Sequence, residues 1–219
     1  LYPRTVYYRL NMKIEIHRGT HQIGGSAIEI STASTRIILD FGNELSLDEK
    51  YTPINLDIDG VTKGLPDCDG IVISHYHMDH LGQLTAALPE IPLYMGELSK
   101  EVAMISAEYQ DKNLYLRLLG ANTFRGGEAF TIGDIRIRPL VIDHSAADSY
   151  MFVIEAEGKH VLYTGDFRMH GLRHHILDQL VNTYIGEVDV LITEGTSLSR
   201  DADKYVSETA VLDDISSYI

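Results

Sequence analysis

The chain has 219 residues, 44% hydrophobic and 23% charged, the balance of a globular protein with room for a sizeable core. A formal net charge of −14 argues against a general nucleic-acid-coating role, since phosphate contacts need concentrated Lys and Arg. It leaves open a nuclease whose metal ions supply the local positive charge. The single cysteine, Cys68, cannot form an internal disulfide, which fits a reducing, cytoplasmic setting and means that any zinc site must also use His and carboxylates. No apolar run approaches the ~20 residues needed to span a bilayer, and the opening Leu1-Tyr2-Pro3-Arg4-Thr5 lacks a signal-peptide apolar core, so no membrane association is expected.

Residues 1–12 read as an N-terminal extension without clear periodicity. From Lys13 the pattern alternates through Gly19 as a strand does, Gly24-Gly25-Ser26 reads as a hairpin turn, and Ala27–Ser31 and Arg36–Asp40 read as two more strands. Asp40-Phe41-Gly42 closes this meander. Residues 43–69, rich in Asp, Pro and Gly, read as a loop with a short helical piece.

Next comes a short apolar run, Gly70-Ile71-Val72-Ile73, of the kind that makes a buried strand, and then Ser74-His75-Tyr76-His77-Met78-Asp79-His80-Leu81-Gly82. Four potential metal ligands arrive within six residues. His75 and His77 are two apart, so on an extended backbone both rings project to one side. Asp79 and His80 come as the chain turns into a helix-like segment through Leu88 and face a neighbouring point. This is a layout for two metal ions side by side.

Ile91–Met95 reads as a buried strand. Glu97–Leu119 carries Leu98, Val102, Ile105 and Tyr109 at helical spacing, with a break near Lys112-Asn113 and a second face of Leu114, Leu116, Leu118 and Leu119; core packing accounts for them. A second β-rich half begins near Thr123, with hairpins at Ala129–Val141 and Tyr150–Thr164. A helix over Leu172–Val181, a buried strand at Val188–Thr193 and a last helix at Tyr205–Ile219 follow. Without strict βα alternation, the order predicts two packed sheets with helices outside. His144, after Val141-Ile142-Asp143, and Asp166, after Thr164-Gly165, sit at strand ends where such a fold can gather ligands at one edge. Asp143 is placed to orient a ligating ring or simply to form a turn.

The His-x-His-x-Asp-His run resembles the signature of the metallo-β-lactamase superfamily, which implies an αββα sandwich of two mixed sheets flanked by helices over residues 13–196. Thr164-Gly165-Asp166-Phe167-Arg168 and Leu191-Ile192-Thr193-Glu194-Gly195-Thr196 resemble the corresponding motifs of β-CASP-type nucleases, among them ribonuclease J and the mRNA 3′-end endonuclease. The resemblance implies that His75, His77 and His144 bind one metal, and that Asp79, His80 and Asp166 bind a second, with Asp166 bridging. Nitrogen and oxygen donors without thiolate suit Zn²⁺, with Mn²⁺ possible. A hydroxide shared by the two ions would attack phosphorus or a carbonyl carbon, with Asp79, Asp166 and Glu194 as catalytic residues, Glu194 positioning a proton-transfer group.

The expected activity is a metal-dependent ribonuclease with RNA or another phosphodiester as substrate, and the chain could form a homo-oligomer. A hydrolase of small esters, thioesters or lactams is the alternative, and a catalytically incomplete fragment with a structural metal the third. In the β-CASP group the Glu motif leads into an inserted domain and a later His ligand. Residues 197–219 are expected to start such a domain, with the remainder absent and the second metal held weakly.

Overall fold

The computed structural model describes residues 12–45, 54–198 and 206–218. The N-terminal extension therefore lies, apart from Met12, outside the described residues.

Two sheets face each other. The first has six strands in the order β1 to β6: β1 (Lys13–Arg18), β2 (Ala27–Ser31), β3 (Arg36–Leu39), β4 (Gly70–Ile73), β5 (Leu93–Gly96) and β6 (Asn122–Phe124). β1, β2 and β3 pair antiparallel, and β3 through β6 run parallel. The second sheet has the order β11-β10-β9-β8-β7, built from β7 (Phe130–Ile132), β8 (Ile135–Ile142), β9 (Ser149–Ala156), β10 (Lys159–Tyr163) and β11 (Val190–Ile192). Only the β10–β11 pair is parallel.

The strands of the first sheet that lie mid-sandwich are apolar on both faces, as a sheet covered on both sides requires. Along β4, Ile71 and Ile73 join the core beneath the helices, while Val72 points between the sheets with Ile37, Leu39, Phe152 and Ile154. A third cluster under Leu180 and Ile185 covers the outer face of the second sheet. These layers make the αββα sandwich.

Several boundaries differ from the sequence reading. The segment through Leu88 is helical only at α1 (Met78–Leu81). Beyond it the amides bond three residues back, Leu84 to Leu81 and Ala86 to Gln83, so the spacing of Leu81, Leu84 and Ala87 reflects consecutive tight turns. Residues 54–69 form turns, with no helix among the described residues. β6 belongs to the first sheet, so the second β-rich half starts at Phe130.

The long helix is two, α2 (Glu97–Gln110) and α3 (Lys112–Leu119), separated by Asp111, whose carboxylate caps α3 by accepting from the amides of Asn113 and Leu114. The apolar stripe of α2 faces outward. Ile105 is 64% and Tyr109 85% exposed, while Ser99, Ala103 and Ala107 pack inward and let the backbone approach the sheet. On α3, Leu114 and Leu118 are buried, and Leu116 and Leu119 are exposed.

The helix after Asp166 is α4 (His175–Gln179), continued by a π-helical turn over Leu180–Ile185. β11 is an edge strand among the described residues, with Val190 and Leu191 exposed rather than buried. The last helix, α5 (Glu208–Ser216), is capped by Ser207, whose hydroxyl accepts from the Ala210 amide.

Candidate metal centre

The C-terminal ends of β3, β4, β8, β10 and β11 deliver Asp40, His75, His144, Asp166 and Glu194 to one edge of the sandwich. The loop from β4 holds its shape through backbone contacts with the β1–β2 and β3 connections. The Asp79 carbonyl accepts from the amides of Gly25 and Ser26, and the His80 carbonyl from Phe41. Gly42 lies so close that a Cβ there would sit 1.6 Å from the Asp79 carbonyl oxygen. The Gly24-Gly25 turn, read from sequence only as a hairpin, thus braces the ligand loop.

Ligand atoms of His75, His77 and His144 lie within 4.8 Å of one another, as do those of His75, His80 and Asp166. His144 Nε2 is 3.2 Å from His77 Nδ1, and Asp166 Oδ1 is 3.2 Å from His80 Nε2. Asp79 stands at the edge of this second group, its Oδ2 3.7 Å from His80 Nε2, and His75 takes the third place. His75 Nδ1 is hydrogen-bonded to the Ser74 hydroxyl, whereas its Nε2 is buried and has no hydrogen-bond partner. An orphaned imidazole nitrogen inside a ring of nitrogen and oxygen donors fits a divalent metal.

Asp40, read from sequence as the close of a meander, organises this arrangement. It is 0% exposed and adopts φ 56°, a left-handed conformation that Asp tolerates better than most residues. Its Oδ1 accepts from the Ser74 amide at 2.7 Å. Its Oδ2 meets the Ser74 hydroxyl at 2.7 Å, His80 Nδ1 at 2.7 Å and the Tyr163 hydroxyl at 2.5 Å. One carboxylate therefore orients His80 directly, His75 through Ser74, and ties β3 to β10 across the sandwich. A metal-binding imidazole whose other nitrogen is held by a carboxylate is a recurrent arrangement.

A family model described as a β-lactamase superfamily domain matches residues 35–210. The chain belongs to the metallo-β-lactamase superfamily. Within it, the chain is 27% identical over 192 residues to an RNase J-like protein of Methanocaldococcus jannaschii, covering 84% of this chain and 42% of that protein. It is 26% identical over 224 residues to the endoribonuclease YSH1 of Gibberella zeae, covering 92% of this chain and 26% of that one. The chain thus spans less than half the length of either relative. A crystal structure of a protein of unknown function from Enterococcus faecalis V583 superposes with a TM-score of 0.78 at 21% identity, over 93% of this chain and 56% of that one, and shares the fold.

In this superfamily member, electrostatics prepares most of the rings as neutral donors. Burial, reinforced by the neighbouring histidines, pushes His75 well below its ordinary pKa. Burial also lowers His77, and takes His144 down to about 4 despite the Asp166 carboxylate. His80 goes the other way: burial would lower it, but carboxylates on both of its nitrogens, Asp40 and Asp166, raise it well above the ordinary value. Burial pushes Asp166 up, yet the hydrogen bond and charge of His80 bring its carboxyl below the usual range. A cation seated between His80 and Asp166 would displace the shared proton, so binding there is coupled to proton release.

Two further residues lie beside this cluster. Asp143, whose Oδ2 is buried without a partner, does not reach a ligating ring but holds Arg168: its carbonyl accepts from the Arg168 amide at 2.9 Å, and its Oδ1 is 3.3 Å from Arg168 Nε. Glu194 Oε1 accepts from the Phe167 amide at 2.8 Å and so fixes the chain just after Asp166. Among the other histidines, His17 pairs with Glu29, and His160, His174 and His175 are exposed.

Proposed function

We propose that this chain is the metal-binding domain of a metal-dependent phosphodiesterase that cleaves RNA, related to the β-CASP-type nucleases. The convergence of His77, His80, His144 and Asp166 around the unpartnered His75 Nε2 carries the reading, and the ribonuclease names of the relatives support RNA as the substrate class. His75, His77 and His144 would hold one ion. His80 and Asp166, with Asp79 at the edge, would hold the second, Asp166 lying between the two groups. Zinc is the ion that suits this donor set, with manganese as the substitute. Bound there, such ions supply Lewis acidity and a nucleophile at neutral pH.

The protein's own groups set the geometry. Asp40 and Ser74 fix the rings of His80 and His75 before any ligand arrives, which removes reorganisation from the reaction. Asp166 accepts from His80 and is free to share its second oxygen. Glu194 pins the backbone after Asp166, and its carboxylate would position the group that passes a proton to the leaving oxygen. Among the described residues no helix is long and apolar enough to cross a membrane, and the reading places the protein in the cytoplasm.

The direct test is end-labelled single-stranded RNA incubated with the zinc- or manganese-loaded protein beside a His77→Ala control. Metal-dependent cleavage absent from the control is expected, and its product ladder would separate endo- from exonucleolytic action. Intact RNA with both metals demonstrably bound would overturn the RNA reading in favour of a small-ester hydrolase.

A further inference from the structure

We propose that the hollow beside Asp166 is a nucleobase subsite, an inference that rests on the RNA reading above and deepens it. The hollow measures about 450 Å³ and is walled by Phe167, Met169 and Leu198, with Arg168, Glu194 and Thr196 on its lining. It begins one residue after Asp166, whose carboxylate touches His80 in the ligand cluster. Two of its lining residues, Phe167 and Glu194, are joined by the hydrogen bond that fixes the chain just after Asp166.

The chemistry of the walls selects a flat, uncharged occupant. Met169 is 47% and Leu198 90% exposed, so apolar surface lies open to water where a planar ring could cover it. Phe167 supplies an aromatic side chain on the same wall, and the Met169 thioether is a favourable neighbour for a ring. A phosphate would find little here. Arg168 is already committed, with Nε 3.3 Å from Asp143 Oδ1 and Nη2 2.7 Å from Glu208 Oε1, and the Glu194 carboxylate would repel an anion. That carboxylate uses only Oε1 on the Phe167 amide, which leaves its other oxygen as an acceptor. A base offers both complements: a π-face for the apolar walls and ring or amino N–H groups for the carboxylate.

The other large clefts lack this combination. The one lined by Lys13, His17, Glu29, Arg36 and Lys63 is bounded by charges that pair with one another or with neighbouring carboxylates, and the one beneath Arg117 lies on the helix side of the first sheet. Neither is contiguous in sequence with a ligand of the cluster.

The consequence is that one nucleoside flanking the cut is held by stacking, with no sequence code beyond a base being present. A test follows with the metal-loaded protein and RNA oligonucleotides that carry a single abasic ribose, scanned through the sequence. With the wild type, the abasic ribose at one fixed position relative to the cut is expected to raise KM roughly ten-fold. Phe167→Ala is expected to raise KM for intact RNA by a similar factor and to erase the abasic effect, because both changes remove the same contact. Since Phe167 also packs against the core beneath α4, Met169→Glu at an exposed position provides the second variant, with the same loss of the abasic effect. Cleavage at wild-type KM by both variants, or an abasic penalty that survives in them, would overturn the subsite and leave the RNA reading standing. Failure of the wild type to cut any RNA would overturn both.

Discussion

His75 and His80 are 0% and 1% exposed and are anchored on their Nδ1 atoms by Ser74 and Asp40, whereas His77, His144 and Asp166 are half-buried, His77 and His144 meeting at 3.2 Å and Asp166 reaching inward to His80. The first pair is fixed by the same interactions that join the two sheets. The second group sits on loops beyond the strand ends, and among the described residues no buried carboxylate anchors His77 or His144 in the same way. The centre thus joins a deeply anchored half to a more open one.

The largest expected effect comes from removing the anchor. Asp40→Asn keeps the size of the side chain and tolerates the left-handed backbone, but it replaces an acceptor by an amide that cannot take the same donors. Breaking a fully buried charged network should cost about 3 kcal/mol or more in urea unfolding, and zinc affinity, read by competition with a chromogenic chelator, should fall roughly ten- to a hundred-fold. Unchanged stability would mean that the sandwich does not depend on this carboxylate.

His144→Ala should separate the two halves. Its loss opens a half-buried position to water, so stability should change by only about 1 kcal/mol, while one equivalent of bound zinc disappears from the titration. A collapse of stability comparable with Asp40→Asn would erase the distinction.

The smallest effect concerns a carboxylate far from the centre. Burial pushes Glu29 up, but hydrogen bonds from His17 and Arg36 prevail and bring it from 4.5 to about 2. A carboxyl depressed in the folded state stabilises the fold above pH 4.5 and loses that contribution as pH falls toward 2. Glu29→Gln should therefore flatten the acid limb of the melting temperature between those values. Parallel curves for the two proteins would show that the pairing contributes nothing.

What could be read in the sequence was local. Gly70–Ile73 followed by the histidine run announces a buried strand delivering ligands, and His144 and Asp166 each follow a recognisable strand. Asp40 could not be found this way, because its partners Ser74, His80 and Tyr163 are 34, 40 and 123 residues distant. Only its position after a strand and before Phe41-Gly42 hinted at more than a turn. The stripe Leu98, Val102, Ile105 and Tyr109 misled for another reason: periodicity marks a face without saying which face packs, and close approach to the sheet selected the small residues Ser99, Ala103 and Ala107. The edge strand Val190–Ile192 has the composition of a core strand, and burial depends on neighbours that composition does not specify.

His75 belongs to both groups of converging side chains, yet with Nδ1 engaged by Ser74 it has one nitrogen left and that nitrogen carries one lone pair. It can be spent once. Two ions at this edge would therefore compete for a single donor: if the ion at His77 and His144 took it, the other would keep His80, Asp166 and the more distant Asp79, and otherwise the first would keep only His77 and His144. A pair of ions here would be held unequally, and the count of electron pairs would make them bind in two steps of different affinity.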